Sequence, residues 1–183
     1  ISGDAVKSVK AQATAAQLLA SPAAVSAVGS FPGTDTWEAT AVVRGELPSL
    51  PVLPELPGRG PGADMIGRTL TMLAAVSSEF AAVTTPTGWR LAGQVTSSLP
   101  AVMRRADSWL NEDLDAAESS FVDYSGAYKV QVVGPWTLAA CLELSNGDRS
   151  LRDAGAVDDL RGALAQAVRD HLAALRRRLP DAT

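Results

Sequence analysis

The sequence predicts an α/β domain built on parallel strands, and three observations lead there. Short apolar or β-branched runs alternate along the chain with longer segments whose apolar residues recur at three and four. Residues 128–133, Tyr-Lys-Val-Gln-Val-Val, form the clearest strand signal, bounded by Gly126 and by Gly134-Pro135. The 183 residues, 46% of them hydrophobic, suffice to bury one core.

The elements follow in order. Residues 1–23 are Ala-rich, carry Lys7 and Lys10, and predict a leader helix stopped at Ser21-Pro22. Residues 24–183 form the domain proper. Residues 24–28 predict a first strand, closed by the turn-rich Gly29-Ser30-Phe31-Pro32-Gly33. Residues 36–44 predict a short helix. Five of the eleven prolines then fall between Pro48 and Pro61, and Pro48, Pro51, Pro54 and Pro57 recur every third residue, the period of polyproline II. The residues between them, Leu50, Val52, Leu53 and Leu56, predict a packed, rigid connection and not a presented peptide ligand. Helices are predicted over 63–76 and 99–121, with extended chain and a Thr-Pro-Thr-Gly turn at 80–91. A short helix at 137–144 precedes the turn Asn146-Gly147-Asp148. The last helix, 153–179, carries Val157, Leu160, Leu164, Val168, Leu172, Leu175 and Leu179 on one face. Asp158 and Asp159 near its start and Arg176, Arg177 and Arg178 at its end complement the helix dipole, and Pro180 stops it.

Composition removes several classes of function. Sixteen Lys and Arg against twenty Asp and Glu leave a net charge of −4, which offers no basic field for a nucleic-acid backbone. No apolar run approaches the roughly 20 residues that cross a bilayer, and neither a membrane nor a nucleic acid is an expected partner. One cysteine, Cys141, fits a reducing cytoplasm. One His and one Cys fall short of a four-ligand zinc site, so no metal is expected on this chain's own side chains.

Candidate chemistry lies in the turns. Gly62-x-x-x-x-Gly67-Arg68-Thr69 imitates a phosphate loop, but Arg68 stands where Lys is needed and prolines precede it, so it reads as the start of a helix. His171 lies within the apolar arc of the last helix and reads as a packing residue, and Cys141 as core filler. Ser30 lacks a G-x-S-x-G elbow and is not a nucleophile. Two clusters remain, Gly29-Ser30-Phe31-Pro32 after the first strand and Gly134-Pro135-Trp136-Thr137 after the best one. Both sit at carboxyl ends of strands, where α/β folds place ligands. Gly29 lets a ligand approach the backbone, Ser30 and Thr137 offer hydroxyls, and Trp136 offers a flat apolar wall. Glu55 and Asp64 lie in the loop between and supply a negative partner for an ammonium group.

At these residues the chain resembles the catalytic-domain family of cobalamin-independent methionine synthases, in its stand-alone single-barrel branch. The resemblance runs through Val28-Gly29-Ser30-Phe31-Pro32-Gly33-Thr34, Leu53-Pro54-Glu55-Leu56-Pro57, Gly60-Pro61-Gly62-Ala63-Asp64-Met65-Ile66-Gly67-Arg68, Gly88-Trp89-Arg90-Leu91 and Lys129-Val130-Gln131-Val132-Val133-Gly134-Pro135-Trp136-Thr137-Leu138. It implies a (β/α)8 barrel, the TIM-like fold, that moves a methyl group from a methylated folate, or a similar donor, to the zinc-activated thiol of homocysteine, making methionine. Gly29 and Ser30 would hold the substrate carboxylate, Glu55 its amino group, and Trp136 would border the folate pocket. The chain departs from the family pattern at Leu53-Pro54, where a His-Gly pair is usual, and in the longer gap before Asp64-Met65.

The family's zinc ligands belong to the second half of the barrel, and a whole barrel needs about 250 residues. The resemblance therefore implies the N-terminal half, about four βα units with an extra N-terminal helix: a fragment, a proteolytic product or one piece of a split protein. It would contribute the amino-acid and donor-binding half of a zinc-dependent methyltransferase, inactive alone. Its open edges, with Val130, Val132, Val133 and the leucine stripe of its last helix partly bare, would call for a cover: the missing C-terminal half, a second copy of the chain, or the Ala-rich leader folded over the gap. The alternative is a degenerate, non-catalytic barrel fragment that binds a small molecule or a protein.

Overall fold

The computed structural model describes residues 25–93 and 98–183; the predicted leader helix lies outside them. Among the described residues are five α-helices: α1 (Thr36–Glu46), α2 (Met65–Val76), α3 (Ala101–Ser120), α4 (Pro135–Cys141) and α5 (Ala154–Arg178). Three short strands, β1 (Ala82–Thr85), β2 (Gly88–Leu91) and β3 (Leu142–Glu143), form one sheet in that order. β1 and β2 make an antiparallel hairpin, and β2 runs parallel to β3 through Trp89 beside Leu142 and Arg90 beside Glu143. No helix is long and apolar enough to cross a membrane among the described residues.

This is α/β, but it is not the expected partial (β/α)8 barrel of about four βα units. Of the runs predicted as strands at 24–28 and 128–133, the described residues carry no strand. They meet the proline-rich run only through single parallel bridges, Ser30 with Glu55 and Val52 with Lys129. Leu53 N–H donates to the Lys129 carbonyl at 3.0 Å, while Glu55 N–H donates to the Gly29 carbonyl at 2.8 Å. Residues two apart in a regular strand face the same neighbour. Here they face opposite neighbours across Pro54, so the run turns over between them and no ladder extends. Pro51, Pro54 and Pro57 also lack the N–H groups a central strand must donate. The run is nevertheless a packed connection, with Val52, Leu53 and Leu56 at most 1% exposed.

The helices fall close to where the sequence predicts them, except that the short one expected at 137–144 spans Pro135–Cys141 and gives way to β3. Asp35 caps α1, its Oδ1 accepting from Trp37 N–H at 2.8 Å and Glu38 N–H at 3.2 Å. Asp64 caps α2 through Ile66 and Gly67 N–H, and Asp153 caps α5 through Ala156 N–H. α4 opens with Pro135 at its first position, where a missing N–H costs nothing. α5 packs against α2 and α4 and buries Leu160, Leu164 and Leu175, with Leu179 just beyond it. The leucine stripe expected to lie partly bare is thus covered largely within the chain. Along the run 128–133, Val133 is buried, Val130 half-buried and Val132 exposed.

Candidate functional site

Glu55 stands where three chain segments meet. It follows Pro54, pairs with Ser30 through the parallel bridge, and is only 3% exposed. Phe31 N–H donates to its carbonyl at 2.9 Å, so residues 29–31 and Glu55 are fixed to each other through the backbone. Gln131, on the third segment, donates Nε2–H to the Leu53 carbonyl at 2.9 Å and faces the Glu55 carboxyl. Gly29 makes room for that amide: its φ is +136°, and a Cβ there would lie 2.3 Å from Gln131 Nε2. Lys129 Nζ donates to the carbonyls of Ala27, at 2.6 Å, and Val28, which ties the first segment to the third.

Below Glu55 lies a buried charged network. Arg68, on α2, is 4% exposed and donates Nη2–H to the Pro54 carbonyl at 2.8 Å and to Asp113 Oδ2. Asp113, on α3, is 2% exposed and also accepts from Arg59 Nη1 at 2.9 Å. Arg59 in turn reaches Glu112 at 3.2 Å and donates Nε–H to the Thr34 carbonyl at 2.8 Å. Two guanidinium groups therefore meet two carboxylates, and the charge of this network closes on itself. Glu55 makes no ion pair among the described residues.

The electrostatics follow from that placement. Burial pushes the Glu55 carboxyl up from its ordinary value; Arg68 and then Gln131 act against it, while Asp64 and Asp113 reinforce it. Burial likewise raises Asp113, opposed by Arg68 and Arg59. His171, on α5, is buried and held down to about 4, first by burial and then by the Arg68 charge. It is the packing residue expected, neutral in the folded chain at neutral pH.

This gives a pH dependence of definite sign. The unfolded chain protonates His171 near 6.5 and the folded chain only near 4. Between these values the unfolded state binds more protons, so the contribution to stability is whole above about pH 6.5 and falls as pH drops towards about 4. His171→Leu removes the effect. The stability difference between wild type and variant should change by up to about 3 kcal/mol across that window. Urea unfolding at its two ends measures it, and a pH-independent difference would refute the assignment.

The expected site residues divide into two groups. Gly29, Ser30 and Glu55 are brought together, Gly29 and Glu55 buried and Ser30 exposed. Asp64 acts on Glu55 electrostatically but spends its own side chain capping α2. That carboxylate occupies the helix start where the imitation phosphate loop would hold an anion, and the glycine-rich segment is a helix start only. Trp136, 68% exposed, and Thr137 open α4 at the surface, past the end of the third segment. Zinc, implied by the resemblance for a complete protein, does not fit these residues. Among the described residues no three His, Cys, Asp or Glu side chains gather closely enough to hold a metal, and His171 faces the Arg68 cation.

Arg59 and Asp113 escaped the sequence reading, and Arg68 was legible only as a flaw in a phosphate motif. For Asp113 a signal existed. Met103, Ala106, Leu110 and Ala117 are buried at helical spacing, and Asp113 falls on the same arc. A shallow surface depression beside Asn146, Asp148, Arg149 and Asp153 includes none of the site residues. No family model, curated protein or solved structure matches the chain.

Proposed function

We propose that the chain binds the amino-acid substrate of a methyl transfer to a homocysteine-type thiol, with Glu55 receiving the substrate's ammonium group. One observation carries this reading. Glu55 is a buried carboxylate, and the nearby cation, Arg68, is committed to Asp113 and the Pro54 carbonyl. A buried charge without a partner is costly, and a ligand ammonium supplies the missing one. Ser30, bridged to Glu55 and exposed, stands beside it for the substrate carboxylate. The order of these residues matches the methionine-synthase pattern to which the chain is similar, and the thiol activation and methyl donation of that reaction lie outside the residues that support the reading.

The test is calorimetric titration with L-methionine and with 4-(methylthio)butanoate, which lacks only the amino group. Wild type is expected to bind the first and not the second, and Glu55→Gln to lose about tenfold or more in affinity for L-methionine. Binding should also weaken on acidification at a pH above 4.5, because burial raises the Glu55 carboxyl and its protonation removes the charge. Equal affinity of wild type and Glu55→Gln would overturn the reading.

A further inference from the structure

We infer that Asp113 is a positioning residue that holds the Arg68 guanidinium away from Glu55, so that the Glu55 carboxylate stays free for a cationic ligand; this rests on the reading of Glu55 proposed above. The geometry sets two anions in competition for one cation. Arg68 Nη2 binds the carbonyl of Pro54, the residue next to Glu55, and its reach is therefore already at the site. The same nitrogen is held by Asp113 Oδ2, and Arg59 grips Oδ1 of that carboxylate from the other side. Arg59 is itself fixed by Glu112 and the Thr34 carbonyl, so Asp113 is anchored against following Arg68 towards Glu55.

The other groups facing this centre do not replace Asp113 in the role. Asp64, from the start of α2, caps its own helix. His171, from α5, is neutral and offers Arg68 no counter-charge. Gln131, from the third segment, is an uncharged amide bound to Leu53. Without the Asp113 charge, Glu55 is a buried carboxylate without an ion pair on which the Arg68 charge already acts, and an internal ion pair there would exclude a ligand ammonium.

Asp113→Asn releases Arg68, while Arg68→Met with Asp113→Leu removes the cation together with the anion that holds it and keeps the volume filled. Two readouts are taken at matched folding, judged by circular dichroism. The first is the Glu55 titration, followed by 13C NMR of carboxyl-labelled glutamate and assigned by its loss in Glu55→Gln. The second is L-methionine affinity by calorimetry at about pH 8, read against the Glu55 titration that the NMR itself gives.

In Asp113→Asn, Glu55 should titrate lower than in wild type, and L-methionine affinity should fall by about tenfold. In the double variant Glu55 should titrate higher than in the single one, and affinity should return to within about threefold of wild type. A purely structural role for Asp113 predicts that the double variant binds no better than the single one, and that result would overturn the inference. So would an unmoved or raised Glu55 titration in Asp113→Asn. If Asp113→Asn does not fold, Arg68→Met alone decides. It should raise the Glu55 titration and retain binding at about pH 8, and lost binding in a folded Arg68→Met chain would overturn the inference. A wild type that binds no L-methionine while its variants show the titration shifts would refute the ammonium reading and leave the Asp113–Arg68 competition standing.

Discussion

Asp113→Ala is expected to destabilise the fold by about 3–5 kcal/mol, because it leaves two buried guanidinium groups without their shared carboxylate. Arg68 and Asp113 have side chains only 5% and 3% exposed, so water does not replace what is lost. Arg59, equally buried, retains Glu112 and the Thr34 carbonyl, which makes Arg68 the main casualty. The Pro54 carbonyl keeps its donor only if Arg68 stays in place. A domain of this size is commonly stable by about 5–15 kcal/mol, so such a loss is a large share of the whole. Replacing both partners by Arg68→Met and Asp113→Leu should cost far less than the single change, since neither charge then remains to be solvated. Urea unfolding of wild type, Asp113→Ala and the double variant measures this, and a double variant as unstable as Asp113→Ala would refute it.

Gly67→Ala is expected to reverse the usual sign of a helical glycine substitution. In an exposed helix interior alanine gains about 1 kcal/mol over glycine, and Gly162 on α5, with nothing within 4 Å of a built Cβ, should show that gain. Gly67 lies on α2, where a Cβ would stand 2.4 Å from Gly62 Cα, 2.7 Å from Gly62 N and 2.8 Å from the Trp89 ring. Two of these contacts are backbone, and Gly62 itself holds φ at +101°, so it has little freedom to withdraw. The loop that carries Asp64 to the start of α2 would have to move. Overpacking of this kind costs about 1–3 kcal/mol, occasionally more. Thermal unfolding should therefore rank Gly162→Ala above wild type and Gly67→Ala well below it. A Gly67→Ala chain as stable as wild type would mean that this close approach is not kept in solution.

The two glycines are identical in a reading of helix propensity, and the same limit governs the rest of the chain. α1, α2, α3 and α5 were legible because their determinants are local: a capping aspartate, apolar residues at three and four, a proline beyond the end. The Ala82–Leu91 hairpin was likewise signalled by its Thr-Pro-Thr-Gly turn. The run at 128–133 was not a strand despite its valines, because a strand needs a neighbour able to donate and accept in register. Its neighbour is interrupted by Pro51 and Pro54, and it presents single bridges. Of the candidate site, Gly29, Ser30 and Glu55 could be read from turn chemistry, yet no local pattern says that Gln131 lies against Gly29.

By itself, then, the sequence determined an α/β chain with one core and its principal helices, and it singled out Glu55 and the Gly29-Ser30 turn as separate candidates. Only the tertiary structure decided that the sheet is three short strands and not half a barrel. It alone decided that Arg68, Asp113 and Arg59 close a charged network beneath Glu55, and that Trp136 faces outward. The division has a physical cause. Helix periodicity and capping act within a few residues of chain, whereas strand pairing and buried charge compensation join residues 45 and 54 positions apart, as Arg68 and Arg59 are from Asp113.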